Sequence, residues 1–247
     1  MDVPDFALAA STNTLEHETA VRDAADLIEF RMDKADAPLE QLSQYDGELP
    51  LIATNRTRWF GGKAKDTGRL DTLIAASRHD AVEFVDIEIE TARAGEWITT
   101  EFRDNDVKLI ISHHDFEETP SRDILDAIIE QCAEYGDIGK VATFPQNKSD
   151  TLTMLGAIND ANERGLNVAG ISMGEIGSHT RAIGHLYGST LGYAPLESDE
   201  TEYAPGQIPV HTLASLIEVL DDWSTRTSGE QSLGDAVATV NELSLSQ

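Results

Sequence analysis

Residues 138–144 read IGKVATF, an apolar run of strand length that carries a single charge, Lys140. Within it a strand is expected at 140–144. Runs of similar character recur at 6–11, 27–31, 51–55, 84–89, 107–112 and 168–173, with a weaker one at 189–193. Amphipathic helical segments lie among them at 71–78, 123–135 and 151–163, and another follows the last at 210–223. Near-continuous apolar strands alternating with helices describe a parallel sheet covered on both faces. An open doubly wound sheet would give the same alternation with fewer strands, and no GxGxxG fingerprint follows the first run. Eight strands in 247 residues fit a (β/α)8 TIM barrel, which typically takes roughly 250 residues. The expectation is an α/β fold with one catalytic domain over 1–247, in which 225–247 is a polar tail or terminal helix.

Composition narrows the partners. Asp plus Glu number 45 against 18 Lys plus Arg, a formal charge of −27, yet 40% of the chain is hydrophobic. The acids are interleaved with periodic apolar positions, so they decorate the solvent face of a folded protein rather than a disordered tail. Only six basic residues are lysines: Lys34, Lys63, Lys65, Lys108, Lys140 and Lys148. Such an acidic, lysine-poor surface is similar to that of proteins from halophilic organisms, where salt screens repulsion between like charges. The charge argues against nucleic acid or anionic membrane as a partner. Cys132 is the only cysteine, which excludes an internal disulfide. Acids near the N-terminus and the lack of a span-length apolar stretch point to a cytoplasmic protein.

A barrel of this kind carries its chemistry at the carboxyl ends of its strands, and five of those ends are charged. IEFRMD places Glu29, Arg31 and Asp33 in alternation, ATNR ends in Arg56, and VDIEIE supplies Asp86, Glu88 and Glu90. IISHHDF gives His113, His114 and Asp115, and the fifth end is that of the Lys140 run. Any one of these alone could be a surface charge or a structural ion pair. An ammonium on an apolar barrel strand costs on the order of several kcal/mol unless it is paired or deprotonated. Burial and neighbouring arginines lower a lysine's pKa and free an amine that can attack a carbonyl, although a lysine reaching the barrel rim is the plainer alternative. A histidine is suited to accept and return a proton near neutral pH. By strand alternation only one of His113 and His114 faces the substrate. HxH and HExxH spacings are missing, so no metal site is expected. After the seventh strand, SMGEIGSHTR offers Arg181 as a fork for a carboxylate. After the eighth, the polar loop PLESDETEYAPGQI has the length of a lid.

The chain resembles type I 3-dehydroquinate dehydratase. The resemblance rests on EFRMD (29–33), PLIATNR (50–56) followed by Gly61 and Gly62, SHHDF (112–116), GKVATFPQ (139–146), ISMGEIGSHTR (171–181), LYGSTLGY (186–193) and APGQI (204–208), in that family's order. It implies that Lys140 forms an imine with the substrate 3-dehydroquinate and that His114 shuttles the proton. Arg181 would hold the carboxylate, while Glu29, Arg31, Arg56, Gln207 and Ser11 would hold hydroxyls and neighbouring groups. Met173 would pack on the ring. No cofactor is implied, and a homodimer is. Two positions depart from the family pattern: Phe60 stands where a Glu is usual, so Glu88, Asp115 or water is expected to support His114, and Tyr203 precedes APGQ in place of a small hydroxylated residue. A class I aldolase on the same barrel, or a non-catalytic metabolite-binding barrel, are the competing readings of Lys140.

Overall fold

The structure is a computed structural model that describes residue 3, residues 5–196 and residues 206–228, with side chains through 222. Eight parallel strands are β1 (Ala7–Thr12), β2 (Leu27–Arg31), β3 (Leu51–Thr54), β4 (Val82–Glu88), β5 (Lys108–Asp115), β6 (Ile138–Thr143), β7 (Val168–Ser172) and β8 (Leu191–Pro195). They pair in the order β7-β6-β5-β4-β3-β2-β1-β8. The ring is nearly closed: β7 meets the residues just before β8 at an isolated bridge, Val168 with Ser189, where Thr190 N–H donates to the Val168 carbonyl at 2.7 Å. The helices are α1 (Pro38–Ser43), α2 (Arg69–Ala76), α3 (Ile89–Ala94), α4 (Glu96–Asp104), α5 (Arg122–Tyr135), α6 (Lys148–Glu163), α7 (Gly174–Gly177), α8 (Thr180–Ile183) and α9 (Val210–Ser228). All eight expected strands are present, with ends shifted by up to three residues. The four expected helices form too. Most of the lid segment and the tail beyond 228, including Tyr203, lie outside the described residues.

Strand alternation builds two apolar layers. Phe30, Val85, Ile87, Leu109 and Ile111 point outward and pack beneath the helices. Leu27, Ile52, Phe84, Ile110, Ile138, Ala169 and Leu191 point inward and fill the barrel, so both faces of the sheet are buried and the strands read as continuous apolar runs. Helix α6 is fixed at its start by a capping box: the Asn147 side chain accepts from Ser149 and Asp150 N–H, and Asp150 accepts from Asn147 N–H. Among the described residues no helix is long and apolar enough to cross a membrane.

Moving two residues toward the carboxyl end of β2, β4, β5 and β6 replaces the inward apolar layer with polar groups. Leu27 gives way to Glu29, Phe84 to Asp86, Ile110 to Ser112 and Ile138 to Lys140. Their backbones are in register: Ser11 lies beside Glu29, Thr54 beside Asp86, and Ser112 beside Lys140. The next step up brings Arg31, Arg56, Glu88, His114 and Met173.

Candidate active site

A cavity of about 330 Å³ opens at this end of the barrel, lined among others by Ser11, Glu29, Arg31, Arg56, His114, Lys140, Met173, Arg181 and Gln207. All nine residues expected to catalyse or to bind substrate line the same cavity. A larger groove of about 880 Å³ lies at the opposite end, beside Arg78, Asp104, Lys108 and Asp137. That groove is a solvated surface of mixed charge at the amino ends of β4 and β5, away from the carboxyl-end chemistry of such barrels.

Lys140 is 4% exposed, and its neighbours are carboxylates. Nζ donates to Asp86 Oδ2 at 3.0 Å and to Glu29 Oε1 at 3.3 Å. The sequence singled out burial and neighbouring arginines as what would lower the pKa of Lys140; the nearest of these arginines, Arg56, shares the Asp86 carboxylate with it. Arg56 Nη2 lies 2.7 Å from the same Asp86 oxygen, and Arg56 Nη1 donates to Ser112 Oγ at 2.6 Å. Ser112 Oγ in turn donates to Asp86 Oδ1 at 2.7 Å. Glu29 accepts from Ser11 Oγ at 2.6 Å and from Thr54 Oγ1 at 3.2 Å. Burial alone would raise the Asp86 and Glu29 carboxyls. The Arg56 and Lys140 charges outweigh it and hold Asp86 well below the usual range, and Lys140 and Arg31 lower Glu29. Both acids are therefore anionic, and they compensate the buried cations.

Strand β5 separates its two histidines as alternation requires. His113 turns outward toward Glu90, 3.9 Å away, and His114 turns into the cavity with its ring stacked on Phe116 at 5.9 Å between centroids. Burial, with the Arg56 and Lys140 charges, pushes the His114 imidazole well below its ordinary pKa, against the opposing pull of Asp86. It is neutral near pH 7 and able to act as a base.

The expected carboxylate support for His114 takes another form. Glu88 is occupied by Arg56 at 3.4 Å and Arg69 at 2.9 Å. Asp115 Oδ1 accepts the N–H groups of Glu117 and Glu118, both at 2.9 Å, and so caps the loop. Asp86 is the acid whose charge reaches the imidazole, and His114 Nδ1 has no hydrogen-bond partner among the described residues. Phe60 lines the cavity on the loop after β3. That loop folds back so tightly that a Cβ on Gly62 would lie 2.0 Å from the Arg56 carbonyl oxygen, which only glycine permits.

Arg181, on α8, is 8% exposed. Its Nε donates to the Gly206 carbonyl at 3.2 Å and Nη1 to the Tyr193 carbonyl at 3.4 Å, while Nη2 has no partner among the described residues. Burial pulls its guanidinium down to about 10, still charged at neutral pH. Gln207 Oε1 is likewise buried and unpartnered. A carboxylate with adjacent hydroxyls would satisfy these atoms together. Arg31 is held by a two-point pair with Asp33, both contacts at 2.9 Å. Met173 is buried in the wall.

Residues 8–223 match the family model for type I 3-dehydroquinase. The chain belongs to the type I 3-dehydroquinase family. It is 43% identical over 223 residues to the 3-dehydroquinate dehydratase of Haloarcula marismortui, covering 88% of this chain and 97% of that one. The 3-dehydroquinate dehydratase of Halobacterium salinarum is also 43% identical, over 224 residues, covering 88% and 98%. Among solved structures, 3-dehydroquinate dehydratase from Geobacillus kaustophilus superposes with a TM-score of 0.79 at 26% identity, covering 91% of this chain and all of that one. Two features of this type I 3-dehydroquinase site escaped sequence reasoning. Asp86 was visible only as one acid in VDIEIE, and Ser112 only as a small residue before the histidines. Their importance comes from the register that sets both beside Lys140 and Arg56. Among the described residues no group of three or more His, Cys, Asp or Glu side chains could hold a metal ion.

Proposed function

We propose that this chain eliminates water from 3-dehydroquinate to give 3-dehydroshikimate, through an imine on Lys140, with His114 as the proton carrier. The observation that carries the reading is the shared cavity: an enclosed lysine between two anionic carboxylates, with a neutral imidazole in the same wall.

The Lys140 ammonium first gives one proton to solvent; its amine attacks the ring ketone, and the ketone oxygen, taking one proton from the nitrogen and one back from solvent, leaves as water to give a protonated imine. That nitrogen carries the same charge as the ammonium, so Asp86 and Glu29 balance it without reorganising. The imine draws electrons from the adjacent carbon, and His114 takes the proton released there. The resulting imidazolium, disfavoured by burial and by Arg56, passes the proton to the departing hydroxyl. Water leaves, and hydrolysis of the imine releases the product.

Arg181 binds the substrate carboxylate, with Gln207 beside it, and Met173 packs against the ring. Glu29, Arg31 and Ser11 take hydroxyls; Arg56, bound to Asp86 and Ser112, contributes the donors that these leave available. No cofactor enters the reaction. Residues 1–247 act as one catalytic domain, in the cytoplasm, as a homodimer without nucleic acid; the family resemblance supports the dimer and the charge of −27 disfavours nucleic acid.

The test is conversion of 3-dehydroquinate in concentrated salt, followed by the ultraviolet absorbance of the conjugated enone. Turnover by the wild type and none by Lys140→Ala is the expected result. Retained turnover in Lys140→Ala would overturn the imine route, and cleavage of a carbon–carbon bond would favour an aldolase.

A further inference from the structure

The ring of Tyr193, on β8, faces the amine: Lys140 Nζ lies 3.8 Å from its centroid. Tyr193 is 4% exposed and lines the same cavity. Its hydroxyl is buried and has no hydrogen-bond partner among the described residues, although a buried phenol normally finds one. The only polar function of this side chain is thus unspent among the described residues, on a ring that sits against the nitrogen that does the chemistry. A phenylalanine would supply the same ring and the same contact with the ammonium.

We propose that the Tyr193 hydroxyl is a catalytic hydrogen-bond donor to the oxygen of the ketone that Lys140 attacks. As the carbon–nitrogen bond forms, the carbonyl π pair moves onto that oxygen, and a donor beside it stabilises the developing charge. The oxygen then takes one proton from the attacking nitrogen and one from solvent and departs as water. The nitrogen keeps its remaining proton in the imine, and Tyr193 keeps its own throughout.

The position fits the task. The phenolic oxygen is attached to a ring stacked on Nζ, and the oxygen on the attacked carbon is two bonds from Nζ. Burial, with the negative charges of Asp86 and Glu29, holds the phenol well above its ordinary pKa, so it remains a donor at any working pH. Arg181 Nη1 grips the Tyr193 carbonyl at 3.4 Å, which ties the strand carrying this hydroxyl to the residue assigned to the substrate carboxylate.

The proposal rests on Lys140 as the imine-forming residue, and the experiment separates the two. Wild type and Tyr193→Phe are mixed with 3-dehydroquinate, quenched with borohydride at increasing times, and the reduced adduct is measured by mass. In Tyr193→Phe the adduct should accumulate more slowly, on the order of tenfold, with thermal stability unchanged because only an unpartnered hydroxyl is lost. A substrate deuterated at the reacting carbon should show a smaller isotope effect on turnover in the variant, since imine formation has become the slower step. Adduct formation at the wild-type rate in Tyr193→Phe overturns the role of the hydroxyl alone. Failure of the wild type to form any adduct overturns the Lys140 reading with it. Should Tyr193→Phe prove unstable, Tyr193 replaced by 3-fluorotyrosine keeps the hydroxyl as a stronger donor, and imine formation no faster than wild type would count against the role.

Discussion

Lys140 Nζ and Asp86 Oδ2 lie 3.0 Å apart in the barrel interior, and Arg56 approaches the same oxygen from the other side at 2.7 Å. One carboxylate thus compensates two buried cations. Breaking such a buried arrangement from one side leaves charge uncompensated, at a cost of about 3–5 kcal/mol. Asp86→Asn should therefore lower the unfolding free energy by about 3 kcal/mol and also slow imine formation. Denaturant melts in constant salt measure the first effect. A variant as stable as wild type would show that Asp86 does not carry this load.

His114 enters after the imine forms. His114→Ala should still give the borohydride adduct while turnover falls by about 10²- to 10⁴-fold, the usual contribution of a positioned acid or base. Loss of the adduct together with turnover would instead place His114 in the first step.

The depressed imidazole pKa of His114 fixes a sign for pH dependence. The ring is charged more readily in the unfolded chain, near pH 6.5, than in the fold. Below that pH the unfolded state binds more protons, so stability is fully present above about 6.5 and falls as pH drops toward the folded value. The acid limb of kcat/KM, which reports the free enzyme's base, should accordingly lie below pH 6.5. Replacing His114 with Gln should flatten this part of the stability profile. An acid limb above pH 6.5 would contradict a base held in this buried, cationic setting.

Arg181 presents a buried donor with no partner among the described residues. Arg181→Ala should raise KM for 3-dehydroquinate by about 10- to 100-fold, the worth of a charged hydrogen bond, with a smaller effect on kcat. Lysine should restore little, since it lacks the planar fork. An unchanged KM would remove Arg181 from carboxylate binding.

Charge is distributed unevenly over the molecule. Although the net charge is −27, the cavity is lined by Arg31, Lys34, Arg56, Lys63, Lys140 and Arg181, six of the 18 basic residues, with Glu29 as its lining acid. The remaining surface is left to self-repulsion, which screening relieves; at 1 M salt the Debye length is about 3 Å, against about 10 Å at 0.1 M. The melting temperature should fall on transfer from molar to 0.1 M salt. Full stability in dilute buffer would contradict a halophilic surface.

The fold was legible because both faces of each strand are buried, which turns strands into apolar runs that need no alignment to be seen. Lys140 was legible for the same reason: a charge has no ordinary place in such a run. Alternation alone separated His113 from His114. The network around Lys140 was hidden because hydrogen-bond partners are set by register between strands far apart in sequence, as with Glu29 and Lys140, 111 residues apart. The Tyr193 hydroxyl was hidden differently: in the sequence Tyr193 is an aromatic ending a strand, and only the place of its ring against Nζ gives the hydroxyl a task.

The most direct measurement of the central claim is borohydride reduction of the enzyme with 3-dehydroquinate in concentrated salt, followed by digestion and mass mapping. The imine mechanism predicts a reduced substrate adduct on the peptide that contains Lys140. No adduct, or one on Lys34 or Lys63, the other lysines of the cavity wall, would contradict it.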